Sequence, residues 1–70
     1  MVTQSDKKLG EKIQRLRKKA ELKQHQLAEK MGVSTKYIQY IEAGSRQPAL
    51  KTLYKIASAL GVKVKDIFPF

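Results

Sequence analysis

The sequence predicts an all-α fold, five helices in a compact bundle with no strands. Three observations lead there. Apolar residues recur at helical spacing in two stretches, Leu9 to Ala20 and Leu50 to Leu60. Gly32, Gly44 and Gly61 each close an expected helix, where a left-handed residue lets the helix stop. Seventy residues make one domain, taken as 1–70, and a chain that short buries only roughly 60% of its unfolded surface. Its core must be well patterned.

Taken in order, helix 1 is expected from Asp6 or Lys7 to Ala20. Leu9, Ile13, Leu16 and Ala20 fall at i, i+4, i+7 and i+11 as one apolar stripe. Gly10 weakens its first turns slightly. Glu21-Leu22-Lys23 connects to helix 2, Gln24 to Met31, with Leu27, Ala28 and Met31 inward. Gly32 is suited to the C′ position, and Ser34 to the N-cap of the next helix. Val33 and Ile38 then stand at N′ and N4, the spacing of a hydrophobic staple. Gly-Val-Ser thus ends one helix and begins another within three residues.

Helix 3 is expected from Thr35 to Glu42 or Ala43, with Gly44 closing it. Ser45 to Pro48 is a loop, and Pro48 marks the approach to helix 4. Leu50, Leu53, Ile56, Ala57 and Leu60 give helix 4 its apolar face before Gly61. Val62, Val64, Ile67 and Phe68 predict a final short helix packing back on the core.

Fifteen Lys and Arg against six Asp and Glu give a net charge of +9, a large field favouring a polyanion. Between Glu29 and Asp66 the only acid is Glu42, against Lys30, Lys36, Arg46, Lys51, Lys55, Lys63 and Lys65. Cysteine is absent, which excludes disulfides and thiolate metal sites. The first residues lack an apolar signal core, and no stretch approaches the ~20 apolar residues of a membrane span. These features point to a soluble, cytoplasmic protein with no membrane partner. The chain shows no paired carboxylates, no nucleophile with a base, no phosphate-binding glycine loop, and a single histidine, His25. No catalytic residue, metal, cofactor or small-molecule ligand is expected.

With about 100° per residue, Ile38 and Ile41 set the buried direction of helix 3. Lys36, Gln39, Tyr40 and Ala43 point away from it, and Tyr37 lies on the border. Lys36 has the chemistry for guanine O6 or N7, or for a phosphate; Gln39 suits an adenine edge; Tyr40 offers a hydroxyl and a ring edge for a thymine methyl. Thr35 reaches either the core edge or a groove, beside Ser34. Tyr37 divides between core and phosphate contact. Ser45 and Arg46 follow the helix where a loop would meet phosphates. Gln24 opens helix 2 beside Lys23, where unpaired amides and the positive dipole end favour an anion.

In Ile13, Leu16, Arg17, Gln24, Leu27, Ala28, Gly32, Val33, Ser34, Tyr37, Ile38, Ile41-Glu42, Gly44, Pro48, Leu53, Ile56-Ala57, Leu60-Gly61-Val62 and Ile67, the chain resembles the lambda-repressor-like helix-turn-helix family, also called Cro-type or xenobiotic-response-element. The resemblance runs from 13 to 67, with the helix-turn-helix at 24–43. It implies a five-helix bundle binding DNA, usually as a homodimer, with helix 3 in the major groove. It also implies that Gln24 binds backbone phosphate and braces helix 3, and that Arg17 and Glu42 form a partly buried salt bridge. Three positions depart from the family pattern: Glu21 in place of a glycine, Lys23 in place of a capping threonine, and Ala49 in place of a serine or threonine.

The function expected is a sequence-specific, double-stranded DNA-binding transcriptional regulator, a repressor or autoregulator, with residues 35–43 as recognition helix. A protein-binding adaptor built on the same bundle, or non-specific nucleic-acid binding, is the alternative. Phe68 and Phe70, large apolar residues near the chain end, are the expected dimer contacts.

Overall fold

The structure is a computed structural model that describes residues 3–69; Phe70, one of the expected dimer contacts, lies outside them. Among the described residues the order is α1 (Gln4–Lys19), α2 (Gln24–Met31), α3 (Thr35–Glu42), α4 (Leu50–Leu60) and a 3-10 turn at Val64–Asp66. The bundle therefore has four α-helices rather than five. The fifth segment stops at a single turn because its bonds are of the tighter i to i+3 kind: Asp66 N donates to Lys63 O and Ile67 N to Val64 O. Pro69 follows, and a residue preceding proline is driven away from helical angles, which blocks continuation through Phe68.

Helix α1 starts earlier than its apolar stripe suggests. Thr3 Oγ1 accepts from Asp6 N at 3.1 Å while Asp6 Oδ2 accepts from Thr3 N at 3.0 Å, a reciprocal box that satisfies two end donors. The other helices begin with less help. Neither Lys23 nor Ala49 makes a side-chain cap bond, and α2 is instead entered through Gln26 Oε1, which accepts from Lys23 N at 2.8 Å.

All four helices end in the same way. In each, the N–H just after a left-handed residue reaches back to a carbonyl five residues earlier: Leu22 to Arg17, Val33 to Ala28, Ser45 to Tyr40, Val62 to Ala57. The motif requires a left-handed residue, supplied by glycine after α2, α3 and α4 but by Glu21, at φ 60°, after α1. A side chain there crowds its own carbonyl at a cost of about 1–2 kcal/mol. Glu21→Gly is accordingly expected to raise stability by about 0.5–1.5 kcal/mol, net of the extra entropy glycine brings to the unfolded chain. Urea unfolding checks this; a lower midpoint would contradict the strain assigned to Glu21.

Every element contributes to one core. Ile13, Leu27, Ile38, Ile41, Ile56 and Ile67 are almost completely buried, surrounded by Leu9, Ala28, Met31, Leu53, Ala57 and Leu60. Helix α3 packs on both α1 and α2, and α4 on α2. Phe68 is half-buried against this core; among the described residues the large apolar side chains left exposed are Tyr40, Leu50 and Tyr54.

Gly10 is the point of closest approach between α1 and α3. A Cβ added there would meet Ile41 O, and Glu42 O at 2.6 Å. Its cost to helix propensity is real, but its role is to let the two backbones touch.

Candidate nucleic-acid interface

Gly32 ends α2 at φ 71° with open space around its Cα, so the left-handed angle alone demands glycine. Val33 turns into the core, and Ser34 Oγ then accepts from Tyr37 N at 3.1 Å to cap α3. This fixes the direction in which α3 leaves the turn.

The burial of α3 follows its wheel. Ile38 and Ile41 are inside, Lys36, Gln39 and Tyr40 are exposed, and Thr35 and Tyr37 are half-buried. Ser34, Ser45, Arg46 and Lys23 are also exposed. Lys36, Gln39 and Tyr40 thus form one outward ridge of donors, an amide and a phenol, flanked at the helix end by Ser45 and Arg46.

A buried polar cluster holds that ridge in place. Arg17 Nε donates to Glu42 Oε2 at 2.6 Å and Nη2 to Oε1 at 3.1 Å, a two-pronged pair. Its third nitrogen, Nη1, donates to Leu22 O at 2.8 Å. Gln24 Nε2 donates to Glu42 Oε1 at 3.1 Å. The carboxylate at the end of α3 therefore ties α1 to the first turn of α2, and Arg17 adds the connector through Leu22 O. The Arg17 and Glu42 side chains are only 9% and 2% exposed. Among the described residues no buried side-chain nitrogen or oxygen lacks a partner.

Spacing singles out Glu42 as the isolated acid of the basic half, and the resemblance implies Arg17 as its partner and Gln24 as a brace of α3, but not the bond from Gln24 to Glu42. Leu22 O, a backbone acceptor, left no signal in the sequence at all. The pairing of Arg46 with Tyr37, whose ring centroid lies 5.5 Å from the guanidinium carbon, was equally unforeseen. Both depend on how segments meet in space.

The cluster also shapes the field. With Glu42 buried against Arg17, no acidic side chain is exposed between residues 30 and 65, whereas Lys30, Lys36, Arg46, Lys51, Lys55, Lys63 and Lys65 all are. Among the described residues no helix is long and apolar enough to cross a membrane, and no cluster of His, Cys, Asp or Glu is placed to hold a metal ion. His25 is exposed on α2.

The helix-turn-helix family model HTH_3 matches residues 13–67. An uncharacterised HTH-type transcriptional regulator of Archaeoglobus fulgidus is 39% identical over 59 residues, spanning 84% of this chain and 83% of that protein. The immunity repressor protein of Bacillus phage phi105 is 42% identical over 59 residues, spanning 84% of this chain but 41% of the phage protein. Among solved structures, the restriction-modification controller protein C.AhdI from Aeromonas hydrophila superposes with a TM-score of 0.86 at 31% identity, covering 89% of this chain and 94% of its own. A match over most of the chain, with the glycine turn and the α3 ridge in place, shows that this chain belongs to the HTH_3 helix-turn-helix family.

Proposed function

We propose that this chain is a sequence-specific, double-stranded DNA-binding transcriptional regulator, a single domain that places α3 in the major groove and acts as a homodimer. The observation that carries the reading is the exposed Lys36-Gln39-Tyr40 ridge on a helix fixed from behind by the Arg17–Glu42–Gln24 cluster. A groove reader needs side chains that match base edges and a backbone that cannot yield when they engage.

Gln39, Tyr40 and Lys36 are the base-reading residues in this account, with Thr35 and Ser34 at the groove edge. Lys23, Gln24, Tyr37, Ser45 and Arg46 lie on the phosphate side. Phosphate contacts set register and most of the affinity, and base contacts set preference. Relatives named as an immunity repressor and a restriction-modification controller support a repressor or an autoregulator of its own operon. A second reading, a protein-binding adaptor, is favoured by Leu50 and Tyr54, which stand 60% and 59% exposed one turn apart on α4.

Selection from random duplexes tests the choice. One recognition helix reads too few base pairs for useful discrimination, so the enriched site should contain two inverted half-sites about 34 Å apart along one face. Affinity for that site should exceed random duplex by a factor of about 10³ or more. An adaptor would enrich no sequence and would lose its duplex binding at moderate salt.

A further inference from the structure

Arg46 follows α3 by only a few residues, on an exposed loop where a long side chain has many rotamers and a contact with a phosphate must overcome their loss. The structure shows what limits that freedom. Its backbone N–H donates to Tyr40 O at 3.3 Å, and its guanidinium carbon lies over the Tyr37 ring, 5.5 Å from the centroid. Tyr37 is itself held. It is half-buried, packs against the core, and its hydroxyl lies 3.5 Å from Thr52 Oγ1 on α4.

We propose that Tyr37 is a positioning residue for Arg46, a platform linking α4 through the recognition helix to the phosphate-side loop, and not itself a DNA contact. The inference rests on the DNA-binding reading above and refines one of its residues. A guanidinium over an aromatic face uses none of its five N–H donors, so the side chain is oriented while every donor stays available for phosphate oxygens. The hydroxyl is turned toward Thr52, and the ring is the part that acts.

The prediction is a dependence of one residue on the other. In the parent, Tyr37→Leu should weaken binding about two- to five-fold, the scale of an exposed cation–π contact, equally for the selected site and for random duplex. In an Arg46→Ala background the same substitution should change nothing, because the group it positions is gone. Tyr37→Phe, which keeps the ring and gives up only the hydroxyl, should restore most of the loss. Fluorescence anisotropy on both duplexes at fixed salt reads all of this, with thermal unfolding alongside to confirm that each variant is folded at the assay temperature.

An equal loss from Tyr37→Leu with and without Arg46 would overturn the inference and make Tyr37 a contact in its own right. So would an unaffected Tyr37→Leu variant, or an Arg46→Ala variant that binds both duplexes like the parent; in those cases base preference carried by Gln39 and Tyr40 would leave the wider reading standing. A parent protein without duplex preference would remove both.

Discussion

Arg17→Ala is expected to lower stability by about 3–5 kcal/mol, because it leaves the Glu42 carboxylate buried with only the Gln24 amide as a partner. The reverse change, Glu42→Ala, strands a buried guanidinium that keeps one bond, to Leu22 O, and should fall in the same range. For a chain whose total stability lies near the lower end of about 5–15 kcal/mol, either loss is severe. The thermal midpoint should drop by roughly 15–30 °C. The decisive comparison is the double variant Arg17→Met/Glu42→Leu. Removing both charges leaves no unpaired ion, so its loss should be well below the sum of the two single changes. Additive losses would mean that the two residues act independently.

Gly10→Ala is the second large effect, and its sign opposes local propensity. Alanine is worth about 1 kcal/mol more than glycine inside a helix, so on α1 alone the change should stabilise. The crossing reverses this. The new methyl would sit against the backbone carbonyls of Ile41 and Glu42, and backbone at the foot of a packed helix cannot swing aside as a flexible side chain does. Overpacking of this kind typically costs about 1–3 kcal/mol, so a net loss is expected in urea unfolding. Because the displaced residues belong to the end of α3, DNA affinity should fall as well, at temperatures where the variant is still folded. A variant more stable than the parent would show that α1 and α3 do not approach as described.

The contrast between these sites shows what the sequence makes legible. Gly32, Val33 and Ser34 place a stop, a core contact and a cap within three residues, all set by chemistry local to the chain, and the bounds of α2 and α3 follow directly. The outward face of α3 was equally legible, because two isoleucines at helical spacing define the inward direction. Gly10 was not. Whether a helical glycine is a weakness or a crossing depends on what lies across from it, and Ile41 and Glu42 are remote in sequence. The Thr3–Asp6 box is a faint signal in the sequence, since aspartate stands where that signature usually has glutamate or glutamine, although its shorter carboxylate reaches the same amide. The last segment has the apolar residues of a helix but no room to form one before Pro69. In the candidate site, charge and exposure are readable from residue type and the Arg17–Glu42 pair from the resemblance, while the bonds of Gln24 to Glu42 and of Arg17 to Leu22 O require three segments to be brought together.

The central claim is that α3 discriminates bases while the loop and the start of α2 anchor phosphates. Competition binding against single-base variants of the selected site, at fixed salt, tests it most directly. Gln39→Ala and Tyr40→Ala should each cost about 1–3 kcal/mol on the cognate site and flatten preference at particular base positions. Arg46→Ala and Lys23→Ala should weaken cognate and random duplex alike, keep the preference profile, and each reduce the salt slope by about one unit. An unchanged preference profile in both the Gln39 and the Tyr40 variants would contradict the assignment of α3 as the reading helix.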